Sequence, residues 1–142
     1  MPITITFRPS NHPDFSHINQ GPERFVGELV ARKGRKRVGW ILLWSNEHSI
    51  RLDVPGIQVA YVEVLRTMRL RRIATRLYEA AAAFAWQAYR RPLISDTALS
   101  TPARLFWMKQ ERLGRAVCLE HEKRSGSCIQ FALATPPPSN LD

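Results

Sequence analysis

The stretch from Val64 to Tyr78, VLRTMRLRRIATRLY, constrains the fold of this chain more than any other. It reads as the end of a β-strand, a short and very basic turn, and a helix that continues directly from the turn. Upstream, Ile57 to Leu65 alternates Val62 and Val64 against Tyr61, Glu63 and Leu65, the pattern of a strand. Downstream, Ile73, Leu77, Ala80, Ala81, Phe84 and Ala88 recur at the spacing of a helix face packed on a sheet. A strand feeding a helix N-terminus presents unpaired backbone N–H groups and the positive end of the helix dipole, which together favour phosphate. Arg66, Arg69, Arg71 and Arg72 crowd the same turn. Arg72 is expected to hold ordinary helical dihedrals there and to offer its guanidinium as a second phosphate ligand.

The rest of the chain supplies a sheet for that helix. Ile3, Ile5 and Phe7 alternate with Thr4 and Thr6 as in a half-buried strand, and Phe25 to Ala31 and Arg37 to Trp44 form a β-hairpin about the basic turn Arg32 to Lys36. The run VGWILLW from Val38 is almost continuously apolar, which predicts burial on both faces. The five bases of the turn, Arg32, Lys33, Arg35, Lys36 and Arg37, carry no interleaved aromatic residue and read as a solvated tip. After the helix, which ends near Arg90-Arg91 before Pro92, a short strand PLISDT is followed by a second helix with Thr101 as N-cap and Pro102 at its first position. Two final strands, Ala116 to Glu120 and Ser127 to Leu133, flank the polar turn HEKRSG. Their pairing brings Cys118 near Cys128, close enough for a disulfide, although a reduced pair is the expectation for a cytoplasmic protein.

The basic turn resembles the acyl-CoA-binding motif of the GNAT superfamily of N-acyltransferases, Arg/Gln-x-x-Gly-x-Gly/Ala between the fourth strand and the next helix. Arg69-Leu70-Arg71-Arg72-Ile73-Ala74 matches at the first position and at the small last one, and Arg72 stands where the family has glycine. A second segment, Ala103-Arg104-Leu105-Phe106-Trp107-Met108-Lys109 followed by Leu113-Gly114-Arg115, is similar to the family's Ala-x-x-Phe-Tyr-x-Lys helix and its Gly-containing turn. The two occur in the family's order, and with the strands the resemblance covers most of Ile3 to Leu133. It implies an α/β fold: a single GNAT-type domain over residues 1–134, its mixed, mostly antiparallel sheet flanked by helices and splayed between the fourth and fifth strands. Residues 8 to 23, where the family places two helices of the acceptor wall, have room for at most one, so an abbreviated wall is expected. Thr135 to Asp142, with three consecutive prolines, reads as a disordered or extended tail.

The resemblance also implies a chemistry, acetyl transfer from acetyl-CoA to a small-molecule or protein amine. The backbone of Leu65, Arg66, Thr67 and Met68 would hold the pantetheine arm, and Arg69, Arg71, Arg72, Ile73 and Ala74 would surround the pyrophosphate. Many relatives protonate the leaving thiolate with a tyrosine, where this chain has Trp107, whose indole N–H is no acid at useful pH. Glu63 is the candidate base, acting directly or through water; its alternatives are a solvent-facing carboxylate or an ion pair with a nearby arginine. Asp96 could orient a cationic acceptor or cap the loop Thr97 to Thr101, and Trp107 is placed to touch a substrate.

Charge leaves a second class open. With 21 Lys and Arg against 12 Asp and Glu, the formal net charge is +9, which attracts nucleic acid and acidic proteins as readily as the phosphates of a cofactor. The alternative to an enzyme is therefore a GNAT-like fold that has lost catalysis and binds an anionic partner. No apolar run approaches the roughly 20 residues of a membrane span, and no secretory signal is read at the N-terminus, so the expected location is the cytoplasm. Cys118, Cys128 and the scattered His12, His17, His48 and His121 match no metal-ligand spacing, so no metal is expected. No feature of the sequence sets an oligomeric state.

Overall fold

The fold is given by a computed structural model, which describes residues 2–13, 25–46 and 56–133. Most of residues 8 to 23, where an abbreviated acceptor wall is expected, the polar connection 47–55 and the tail Thr135 to Asp142 lie outside the described residues. The elements in chain order are β1 (Ile3–Pro9), β2 (Phe25–Lys33), β3 (Lys36–Asn46), β4 (Gly56–Val64), a 3₁₀ helix (Arg66–Arg71), α1 (Ile73–Tyr89), β5 (Leu93–Ile94), α2 (Thr101–Arg112), β6 (Ala116–His121) and β7 (Cys128–Leu133). The strands form a seven-stranded, mostly antiparallel sheet in the order β1-β2-β3-β4-β5-β7-β6, the α/β arrangement expected. The chain resolves into two compact units, Met1–Ser45 with Val59–Ala81, and Asn46–Gln58 with Ala82–Asp142.

In the first unit β2 is antiparallel to both β1 and β3, with Leu29 opposite Phe7 and Ile41, and Ala31 opposite Ile5 and Gly39. The first half of α1 seats on this face. A Cβ added at Gly39 would lie 3.1 Å from Ile73 Cγ2 and 3.2 Å from Leu77 Cδ1, so the missing side chain is what lets the helix approach. The β2–β3 connection is tighter than the five-residue turn expected: Lys33 pairs with Lys36, leaving only Gly34 and Arg35. Gly34 at φ 63° takes the first central position of a hairpin turn, where glycine is favoured. The strand buried on both faces is β2, buried from Phe25 to Ala31, and not β3, where Trp40 and Leu42 are only half-buried and Trp44 is exposed. Within β2, Glu28 is 4 % exposed, its carboxylate 3.0 Å from Arg37 Nη2 and 3.8 Å from Arg8 Nε.

The second unit contains the start of β4, the end of α1, and everything from β5 onward. β5 runs parallel to β4 over two pairs, Ile57 with Leu93 and Gln58 with Ile94. A Cβ on Gly56 would meet Ile94 Cγ2 at 3.0 Å, which explains the glycine at the strand's start. Ser95 stitches β5 to β7: its N–H donates to the Phe131 carbonyl (2.8 Å), its hydroxyl accepts from Phe131 N–H (2.9 Å), and Gln130 Nε2 donates to its carbonyl (2.9 Å). The buried stripe of α1 differs from the expected one, including Tyr78, Ala82 and Ala85, while Ala88 is exposed and Ala80 and Phe84 are half-buried. The run of four alanines from Ala80 offers no apolar–polar contrast from which to read the helix rotation. The N-cap of α2 is Ser100 and not Thr101, its hydroxyl accepting from Ala103 N–H at 3.3 Å. Cys118 and Cys128 are joined as a disulfide with Cα atoms 5.8 Å apart, correcting the expectation of a reduced pair. The β6–β7 hairpin brings their backbones within the span of the bond.

Candidate functional site

The basic turn lies wholly within the first unit. Leu65 N–H donates to the Val38 carbonyl (2.9 Å), fixing the end of β4 to the start of β3, and Met68 N–H closes the first 3₁₀ turn on the Leu65 carbonyl (2.8 Å). Met68 is buried and anchors the turn from beneath, while Arg66, Thr67, Arg69 and Arg72 are exposed. Arg69 Nε donates to the Val64 carbonyl at 3.2 Å, which holds its guanidinium over the strand end.

Arg72 departs from expectation. Its dihedrals are φ 60° and ψ 24°, the left-handed region, and α1 begins only at the next residue. The helix therefore does not continue directly from the strand: a 3₁₀ segment and one left-handed residue intervene. This explains why a glycine suits the position, since a side chain in this region crowds its own carbonyl. Arg71 closes the 3₁₀ segment and Arg72 is the left-handed residue after it, so α1 starts afresh at Ile73 with its own first-turn N–H groups, and Arg76 N–H to the Arg72 carbonyl (3.1 Å) is the first bond of α1. Neither helix has an acidic residue in its first turn. Ile73 is fully buried and can offer only its backbone, whereas Ala74 is half-buried.

Glu63 is half-buried on β4 and forms no ion pair with an arginine among the described residues. Its partner is Tyr61, two residues earlier on the same strand face. The Tyr61 hydroxyl donates to the Glu63 carboxylate, and this bond, some desolvation and the carboxylate's charge raise the phenol above its usual range. Tyr61 was not among the residues singled out in the sequence, although its i, i+2 spacing from Glu63 was legible. Glu28 was missed as well; a lone carboxylate inside the apolar run FVGELVA was its signal.

The second unit holds the other two residues. Asp96 Oδ1 accepts from Thr97 N–H (2.7 Å), Ala98 N–H (3.4 Å) and Gln58 Nε2 (3.5 Å), so the carboxylate caps the loop toward Ser100. Trp107 is fully buried, stacked on Phe131 with ring centroids 5.9 Å apart and edge-on to Phe106 at 5.6 Å. Its large apolar ring completes the core of this unit, where the sequence expectation is contact with a substrate. Among the described residues no helix is long and apolar enough to cross a membrane, and no three His, Cys, Asp or Glu residues group as metal ligands.

A strand, a 3₁₀ turn, a left-handed residue and a helix start, followed by β5 and a capped helix, define the class. Residues 3–114 match the acetyltransferase (GNAT) family, and the chain belongs to that family. Solved structures share the fold at low identity. A mutant of the toxin AtaT bound to the C-terminus of the antitoxin AtaR aligns with TM-score 0.66 at 13% identity, over 94% of this chain and 92% of its own. AAC(6')-Iy in complex with a bisubstrate analogue aligns with TM-score 0.56 at 18% identity, over 87% and 95%. The IAA acetyltransferase from Bacillus cereus aligns with TM-score 0.59 at 14% identity, over 93% and 99%. A comparison with curated proteins finds no match.

Proposed function

We propose that this chain is an acyl-CoA-dependent N-acyltransferase that moves an acetyl group from acetyl-CoA to an amine. The observation that carries the reading is the start of α1 at Ile73, directly after the left-handed Arg72 and with no acidic residue in the first turn of α1 or of the 3₁₀ segment before it. Such a helix start suits a pyrophosphate, so the residues present fit the cofactor. The backbone of Leu65 to Met68 would take the pantetheine arm, and Arg69, Arg71 and Arg72, with the N–H groups of Ile73 and Ala74, would take the phosphates. Bound acetyl-CoA supplies an activated thioester.

The remaining chemistry falls to this chain's side chains. Glu63, the hydrogen-bond partner of Tyr61, would accept a proton from the acceptor's ammonium, directly or through one water, leaving the neutral amine that attacks. Tyr61 holds the carboxylate oriented. AtaTR, a structural neighbour, has been solved with AcCoA bound, which supports the cofactor assignment by analogy of fold. Calorimetric titration with acetyl-CoA tests the reading: saturable binding that is lost when Arg69 and Arg72 are both replaced by Glu is expected, and no binding at millimolar ligand overturns it.

The burial of Trp107 favours the second reading, a fold that keeps the basic turn but no longer catalyses. Binding of acetyl-CoA without turnover of any amine panel, in wild type and in a Glu63→Gln variant alike, would decide for it.

A further inference from the structure

The hairpin tip and the phosphate turn lie at one end of the first unit. Leu65 donates to the carbonyl of Val38, two residues beyond Lys36, and Arg76 Nη2 donates to the carbonyl of Ile3 (3.0 Å), which is paired with Lys33. Two of the five hairpin cations are occupied internally. Arg32 Nη1 bonds Thr6 Oγ1 (3.0 Å), and Arg37 bonds Glu28 while stacking 4.8 Å over Trp40. Lys33, Arg35 and Lys36 have no acidic partner among the described residues, and Arg35 and Lys36 are exposed. Register makes the crowding worse: Arg32 stands directly opposite Arg37 and Lys33 directly opposite Lys36. Like charges placed opposite each other across a ladder destabilise it. Glu28 offsets the charge of Arg37, so the uncompensated repulsion is that between Lys33 and Lys36, and this tip beside exposed Arg66 and Arg72 suits a polyanion.

We infer that Lys33, Arg35 and Lys36, continued by Arg66 and Arg72, form a docking surface for the phosphate backbone of double-stranded nucleic acid. Charge complementarity names the chemistry, and the absence of an aromatic residue between Arg32 and Arg37 favours a duplex backbone over stacked single-stranded bases. Recognition is then independent of base sequence. The inference does not depend on whether the chain transfers acyl groups.

Fluorescence anisotropy with a labelled 20-base-pair duplex tests it across a salt series. Five phosphate contacts predict that affinity falls about 500-fold between 50 and 200 mM salt. The triple variant Lys33→Gln, Arg35→Gln, Lys36→Gln should lose about three contacts, leaving a fall of about 10-fold over the same range. Its calorimetric affinity for acetyl-CoA should equal that of wild type, which shows that the variant is folded and separates this inference from the proposed activity. Single Gln variants at the same positions, each expected to remove about one contact, serve if the triple variant does not fold. A control replacing Arg115, Lys123 and Arg124 of the second unit by Gln removes equal charge elsewhere. Equal weakening by the control, an unchanged salt dependence in the triple variant, tighter binding of a single strand of the same length, or equally tight binding of polyglutamate would each overturn the inference.

Discussion

Replacing Arg72 by glycine should stabilise the protein. The residue sits at φ 60° and ψ 24°, and a side chain in the left-handed region costs about 1–2 kcal/mol. Glycine removes that cost but loses about 0.5–1 kcal/mol to its greater freedom in the unfolded chain. The net expected gain is about 0.5–1 kcal/mol, which for a chain of this size raises Tm by about 2–4 °C. The exposed guanidinium takes little packing with it when removed. Urea unfolding followed by tryptophan fluorescence measures the change as a higher midpoint at constant slope. Arg72→Ala is the control, since alanine keeps the strain and should stay within about 0.5 kcal/mol of wild type. If both variants shift alike, or if glycine destabilises, the strain argument fails. Acetyl-CoA binding by Arg72→Gly should be retained or tightened, because closer backbone approach offsets the lost charge.

Two further outcomes follow from the same strands. The Tyr61 phenol, raised chiefly by its bond to Glu63, favours its protonated form in the folded state, so its contribution to stability is present below its ordinary pKa and lost as pH rises through the raised one. The difference in tyrosinate absorbance between wild type and Tyr61→Phe should report that midpoint, and Glu63→Gln should bring it back down; an unmoved midpoint would rule out the bond. Gly39→Ala would put a methyl 3.1 Å from both the Glu63 carbonyl and Ile73 Cγ2, and should cost about 1–3 kcal/mol in urea unfolding.

The order of the elements was legible because their hydrophobic periods are long and their boundaries carry strong punctuation: Gly34 in the hairpin, Pro92 after α1, Pro102 at the start of α2. Local geometry was harder. Nothing in the identity of Arg72 announces a left-handed residue, since arginine gives no reason to expect one; only the comparison with a motif that has glycine there pointed to the position. The alanine run concealed the rotation of α1, and the alternation of β3 was masked by apolar residues on its half-buried face. At the site, Glu63 was read from its place before the turn, but its partner Tyr61 became significant only once a hydrogen bond tied the two. Trp107 shows the opposite case. A motif position suggested contact with substrate, and the ring's volume took it into the core beside Phe131.

The disulfide between Cys118 and Cys128 changes how the last two strands can come apart. Their ladder is irregular on either side of Glu120, within the loop that the disulfide closes. With a covalent tie across it, separation of β6 from β7 is stopped at the link, and only the residues beyond it are able to fray. Amide hydrogens inside the closed loop and those toward Leu133 should then exchange as two populations, and adding a reductant should merge them.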